Sequence, residues 1–305
     1  MLKSILVTGG TGFIGKNLLI QLKDRYPQAE ISCLVRKTSR TEDLKNLGIS
    51  LIYANISNVN DLDKIDKSFD VLFHCAAKIS NKEKELLSTN VHGTENICRL
   101  AKRLKIKRLI YTSSVSVVNG NQDSIITDEM PYNSRLKYGD SKIEAEKIVK
   151  LYRQSGMEVA ILRPCMVYGK GEPHLTPKLK ILLKLRLIPL INGGQNKTHL
   201  VSVKTVVDAL IFAAEGDSCL KNTIIIADKD VLTMSEILKI MSESIGAKPP
   251  VSIPKALNWL LFNLPYLGKR FRLYVKDRTY SIKALEESGF KFRYPAKETL
   301  GEAAL

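Results

Sequence analysis

The chain has 305 residues, 44% of them hydrophobic, which is enough for one large core or a core with a smaller lobe. Its five cysteines (Cys33, Cys75, Cys98, Cys165 and Cys219) are odd in number, far apart and set in apolar runs such as LFHCAA, which argues for free thiols in a reducing compartment and against a disulfide framework. The 47 Lys and Arg outnumber the 31 Asp and Glu to give a net charge of +16, but they read as spread along the chain with no nucleic-acid motif, so solvated faces rather than a nucleic-acid partner are expected.

In chain order, the first 165 residues alternate apolar strands with helical patterns. ILVTG, EISCLVR, SLIYA, FDVLFHCAA, KRLIYTSS and EVAILRP read as strands, with KNLLIQLKDR and NVHGTENICRLAKRLK among the helices between them. Near-continuous apolar strands are those buried on both faces by crossover helices. The pattern predicts an α/β fold, a doubly wound parallel Rossmann sheet over residues 1–165.

After residue 165 the rhythm changes. YGKGEPHLTP reads as a loop, and LKILLKLRLIPLI as an amphipathic basic helix ending near Pro189. KTVVDALIFAAE reads as a helix, NTIIIAD as a strand, and TMSEILKIMSESIG as a helix with a Thr N-cap and a Gly stop. IPKALNWLLFNLP is an apolar helix between prolines, with Trp259 as a core residue. Residues 166–305 are thus expected to form a smaller, mainly helical substrate lobe, with one later helix returning to the nucleotide-binding half. No run of about 18 residues is free of charge and polarity, so no transmembrane helix is expected. The opening MLKSILVTGG reads as a strand entering a glycine turn rather than a signal peptide, which makes a cytoplasmic location the expectation. No histidine lies at metal-ligand spacing from cysteine, and no metal is expected.

TGGTGFIG places Gly9, Gly12 and Gly15 between a strand and a helix. The first glycine permits the turn, the second lets backbone approach a pyrophosphate, and the third allows close helix–strand packing. A helix N-terminus there offers free N–H groups to phosphate. Thr11, Phe13 and Ile14 fill out the same turn as cofactor-contacting candidates. NAD-binding sheets commonly carry an acid about 20 residues further on, at the ribose 2′-OH. Here that place holds Arg36 and Lys37. A guanidinium pairs with a 2′-phosphate, so NADP(H) is the expected cofactor, with NAD(H) the alternative.

KYGDSKIEAEKIV carries Tyr138 and Lys142 one helical turn apart, on one face. A phenol with an ordinary pKa of about 10 can exchange a proton with a substrate oxygen, and a neighbouring ammonium is expected to lower that value. Upstream, a strand ends in Thr112, Ser113 and Ser114, where a hydroxyl faces the ligand crevice of a parallel sheet. Ser114 is expected beside Tyr138 on the substrate oxygen, and Tyr138 and Lys142 are also expected to touch the cofactor, with Lys142 hydrogen-bonded to the nicotinamide ribose.

With these segments the sequence resembles the extended short-chain dehydrogenase/reductase family over nearly its whole length. TGGTGFIG, HCAA at 74–77, NVHGTENI, YTSS, YGDSK and LRPCMVYGKG carry the resemblance. It implies Ser114, Tyr138 and Lys142 as catalytic residues. It implies Cys75, Ala76, Ala77 and Lys78 as a cofactor-lining segment, Asn90 as a cofactor-binding residue that supports the active site, and Thr112, Pro164 and Val167 near the nicotinamide. Asn55, followed by Ile56, stands where the family often has an adenine-binding aspartate. Ser116 and Lys197 are the substrate-binding candidates, Lys197 as a point charge near a position where nucleotide-sugar epimerases tend to carry arginine. Lys204 and Thr205 replace the family's usual acidic pair.

The resemblance implies an oxidoreductase interconverting an alcohol and a ketone, similar to the hydroxysteroid-dehydrogenase and dihydroflavonol-reductase branches. A nucleotide-sugar epimerase, dehydratase or reductase is the alternative, and a silent NADP-binding sensor a third. A long apolar pocket favours the first reading; two or more cationic groups in a groove favour the second. The implied partners are a small-molecule substrate and a second copy of the chain, joined through its two long helices. The apolar and basic helices of the lobe are read as core and lobe surface rather than membrane contacts.

Overall fold

The computed structural model describes residues 2–173, 176–220, 222–254, 257, 263 and 275–304. Seven strands form the central sheet: β1 (Ser4–Thr8), β2 (Glu30–Val35), β3 (Ser50–Tyr53), β4 (Val71–His74), β5 (Arg108–Thr112), β6 (Glu158–Pro164) and β7 (Thr223–Ile226). Their order is β3-β2-β1-β4-β5-β6-β7, and every neighbouring pair is parallel. The order reverses between β1 and β4, and a crevice for ligand opens at such a switch point.

Alternate residues of each strand face opposite layers. Ile5, Val7, Phe73, Ile110 and Leu162 join one buried cluster, which contains Leu18, Leu19 and Leu22 of α1 (Phe13–Arg25). Leu6, Leu72, Leu109 and Ile161 join the other, with Ile97 and Leu100 of α2 (Gly93–Arg103) and Ala145 and Val149 of α3 (Lys137–Gln154). Both faces are covered, as the apolar strands demand.

The seventh strand is the NTIIIAD segment, which pairs Ile224 with Leu162 and extends the sheet beyond the six strands expected before residue 165. Val206, Val207, Leu210 and Ile211 lie in the same cluster as α1. The C-terminal half therefore contributes a helix as well as this strand to the sheet.

The rest of that half surrounds a third cluster, with Tyr168, Leu183, Leu232, Ile237, Leu238, Met241 and Leu300 buried. Its helices are α4 (Thr176–Lys184), α6 (Met234–Ser244) and α7 (Ala296–Ala304), and α5 is the sheet-covering Val203–Glu215. The Thr233 side chain caps α6 in a reciprocal box with Glu236, and Gly246 follows at φ 66°, as the TMSEILKIMSESIG pattern predicts. The basic helix ends at Lys184, short of Pro189, because Arg186 turns left-handed at φ 57°. The IPKALNWLLFNLP segment, with Trp259, lies almost wholly outside the described residues.

Candidate functional site

The glycine turn joins β1 to α1. Gly9 has φ 76°, and a Cβ there would lie 2.6 Å from the Ala76 backbone nitrogen. A Cβ on Gly15 would run into the Gly9 carbonyl. Gly12 differs: a Cβ would meet only the Gly9 carbonyl oxygen, at 3.2 Å, and otherwise project into the cleft. Gly12 also starts α1 with no side-chain cap, and the first turn carries no acid. The donors of that turn are left for an anion. The turn thus fits a dinucleotide pyrophosphate: two glycines permit the backbone path and the third clears the approach.

At the other end of the same cleft stand Ser114, Tyr138 and Lys142. Lys142 is fully buried; its Nζ donates to the Thr112 carbonyl at 2.7 Å and sits 4.3 Å from the Tyr111 ring centre. Burial pushes its ammonium down to about 7, against the upward pull of Glu146 and Cys75. Burial pushes the Tyr138 phenol up to about 12, and the neighbouring Ser114 hydroxyl pulls the other way. The expected lowering of this phenol by Lys142 is not what the structure shows. The cation is directed at Thr112 and Tyr111, and its own burial removes part of its charge.

Behind this pair lies a buried ion network. Glu146, one turn beyond Lys142, accepts from Arg163 Nε at 2.9 Å and Nη2 at 2.7 Å, from the Tyr132 hydroxyl at 2.8 Å, and from Ser113. Burial pushes this carboxyl up, but Arg163, Ser113 and Tyr132 outweigh it and hold it below the usual carboxylate range. The network locks α3 against the ends of β5 and β6.

Asn90 sits in a π-helical turn, Leu87–His92, that precedes α2. The wider turn points its amide inward, as such turns often do at functional sites. Its Oδ1 accepts from the Lys78 amide at 2.7 Å, and its Nδ2 donates to the Lys78 carbonyl at 3.0 Å and Ser141 Oγ at 2.9 Å. Asn90 thereby clamps the segment after β4 to α3 without itself lining the cleft. His74 is held between Thr8 and Thr94 at 2.7 and 3.0 Å, and burial, with Lys142 nearby, pushes it down to about 3, so it is a neutral strut.

The cleft holds about 530 Å³ and is lined by Gly9, Gly12, Phe13, Ile14, Gly15, Cys75, Ala77, Lys78, Thr112, Ser114, Tyr138, Lys142, Pro164 and Val167 from the sequence-based set. Thr11 is exposed outside it, and Ala76 lies against Gly9 behind it. Arg36 and Lys37 are exposed at the end of β2 and form no side-chain hydrogen bond or ion pair among the described residues. Asn55 is exposed; its Oδ1 accepts from Ser57, and its own amide donates to Asp61 at 3.0 Å. Ile56 turns into the core beneath Gly93, so its side chain is not a cofactor contact.

A second cavity of about 510 Å³ shares Ser114 and Cys165 with the cleft. Ser116 lines it, and its Oγ is buried with no hydrogen-bond partner. Lys197 lines neither space; the cations on the wall are Lys276 and Arg278, with Asn119, Asn196, His199 and Tyr280. Tyr280 donates its hydroxyl to Asn119 at 2.8 Å and its amide to His199 Nδ1 at 3.2 Å. Sequence reasoning passed over these residues. Their signal was the alternation Lys276, Arg278, Tyr280 in KDRTY, which puts the three side chains on one face of extended chain.

A parallel sheet with a glycine turn at its switch point, facing a Ser, Tyr and Lys set, defines a dinucleotide-dependent enzyme of the short-chain dehydrogenase/reductase type. The profile of the NAD dependent epimerase/dehydratase family matches residues 5–227, and the chain belongs to that family. It is 31% identical over 268 residues to UDP-glucose 4-epimerase of Vibrio cholerae, covering 83% of this chain and 79% of that protein. It is 29% identical to 3-beta-hydroxysteroid dehydrogenase of Mycolicibacterium neoaurum, covering 98% of this chain and 89% of the other. Its fold superposes with a TM-score of 0.76 on UDP-glucuronic acid 4-epimerase from Bacillus cereus in complex with NAD, at 20% identity over 98% of this chain and 96% of that one.

Proposed function

We propose that the protein interconverts an alcohol and a carbonyl at one carbon of its substrate, with Tyr138 exchanging the proton on that oxygen. The observation that carries this reading is the single cleft holding the glycine turn at one end and Ser114, Tyr138 and Lys142 at the other. Gly9, Gly12 and the first turn of α1 would hold the phosphates of a nicotinamide dinucleotide, which would supply or accept the hydride when bound. Ser114 donates to the substrate oxygen and orients it beside the phenol. With its pKa raised to about 12, Tyr138 keeps its proton at neutral pH and is set to donate it to a carbonyl oxygen. Alcohol oxidation, which needs the phenolate, then speeds up with rising pH. Lys142 fixes the Thr112 carbonyl and so the strand end that carries Ser114.

NADP(H) is the proposed preferred cofactor, because Arg36 and Lys37 stand unpaired at the end of β2. A homodimer through α2 and α3 and a cytoplasmic location belong to the same proposal. No helix among the described residues is long and apolar enough to cross a membrane.

Lys276 and Arg278 favour the second reading, a nucleotide-sugar epimerase, dehydratase or reductase. Two cations on the wall suit an anionic substrate better than a wholly apolar one. Both readings share the Tyr138 step. Turnover coupled to NAD(P)H on steroid, flavonoid, aldehyde and nucleotide-sugar panels tests them. Activity confined to uncharged apolar ketones refutes the second, and no activity on any panel removes support from both.

A further inference from the structure

The excess positive charge is less evenly distributed than a first reading of the sequence indicates. Two stretches, 173–207 and 244–276, contain no Asp or Glu. The first carries Lys178, Lys180, Lys184, Arg186, Lys197 and Lys204, and the second Lys248, Lys255, Lys269, Arg270, Arg272 and Lys276. Twelve of the net sixteen charges therefore come from these two stretches.

Within the first stretch, α4 and the residues after it combine charge with exposed apolar bulk. Leu183 is buried in the lobe cluster, but Ile181, Leu185 and Leu187 are 59%, 62% and 62% exposed. Ile181 and Leu185 are one turn apart and share a face. Val251, 72% exposed, follows beside them, since its carbonyl accepts from the Leu190 amide at 2.9 Å. Lys178, Lys184 and Arg186 are exposed and form no ion pair among the described residues. An exposed apolar patch on a stretch of chain whose only charges, from residue 173 to 207, are cations calls for a partner that is both greasy and negative. A second copy of the same face would set cation against cation. Nucleic acid would leave the leucines in water. The segment also begins at Glu172 and Pro173, which line the mouth of the cofactor cleft.

We propose that this face rests peripherally on an anionic lipid surface. Ile181, Leu185, Leu187 and Val251 enter the boundary below the headgroups, and Lys178, Lys184 and Arg186 meet lipid phosphates. The docking sets the cleft mouth beside the bilayer.

Flotation of the whole protein with vesicles of phosphatidylcholine, with and without phosphatidylglycerol, tests this. The protein should float with the anionic vesicles only, and high salt should weaken that binding. Each cation near such a surface contributes about five-fold to partitioning, so K178Q with K184Q should lower it about thirty-fold. L185S with L187S should also lower it, and the loss should persist at every salt concentration. Dinucleotide affinity in solution should stay unchanged in both variants, which shows that they fold. Equal flotation with and without phosphatidylglycerol, or full binding by both variants, overturns the proposal. So does self-association of the lipid-free protein that L185S with L187S abolishes, because the face would then be a contact between copies.

Discussion

Replacing Lys142 with methionine should stabilise the protein while weakening dinucleotide binding. The side chain is fully buried, with an ammonium pushed from 10.5 down to about 7. At about 1.4 kcal/mol per unit, the charged form costs the fold about 5 kcal/mol at low pH. Methionine fills similar volume without that cost, but it gives up the charged hydrogen bond to Thr112, worth about 1.5–3 kcal/mol. The variant should therefore gain about 2–3 kcal/mol below pH 7. Between about pH 7 and 10.5 the native lysine is neutral while the unfolded chain still binds its proton, so wild-type stability rises with pH and the advantage disappears. Urea unfolding of both proteins at about pH 6 and about pH 10 measures this directly. A variant less stable than wild type at the lower pH, or a difference independent of pH, would refute the reasoning.

Arg36→Ala should cost about 1–3 kcal/mol in NADPH affinity and leave NADH affinity unchanged, as read by calorimetric titration. Gly12→Val should fold with a native circular-dichroism spectrum and lose dinucleotide binding, whereas Gly15→Val should unfold, because a Cβ lies 3.2 Å from the Gly9 carbonyl oxygen in the first and runs into that oxygen in the second. Glu146→Gln should destabilise the protein by about 3–5 kcal/mol in urea, since it leaves Arg163 charged and buried without its carboxylate.

The sheet was legible because each parallel strand is a short apolar run and helical patterns recur between the strands. The address of β7 was not: Thr223–Ile226 reads as a strand, but only its pairing with Ile161–Pro164 shows which sheet it joins. The glycine turn and the Tyr138–Lys142 pair were legible for a similar reason, since a fixed local spacing puts their groups on one face. The state of that pair was not, because the burial that pushes Lys142 down and Tyr138 up comes from elements distant in sequence. The π-helical turn behind Asn90 follows no periodicity that a pattern search detects. Lys276 and Arg278 are a strand-spaced pair after a long acid-free run, where composition suggests only a solvated basic face. The charge bias of 173–207 and 244–276 was present in the sequence throughout; it shows in where the acids are missing rather than in where the bases fall.

The proposed proton transfer rests on one oxygen atom, and Tyr138→Phe removes that atom alone. The substitution removes the phenolic oxygen near Ser114 and leaves Lys142 on Thr112. Folding and dinucleotide affinity should survive. Carbonyl reduction at saturating cofactor, on whichever substrate the panels yield, should slow by about 10²–10⁴-fold, the usual worth of general acid–base catalysis. A Tyr138→Phe enzyme that turns over within about three-fold of wild type would contradict the account and leave a dinucleotide-binding protein whose tyrosine takes no part in chemistry.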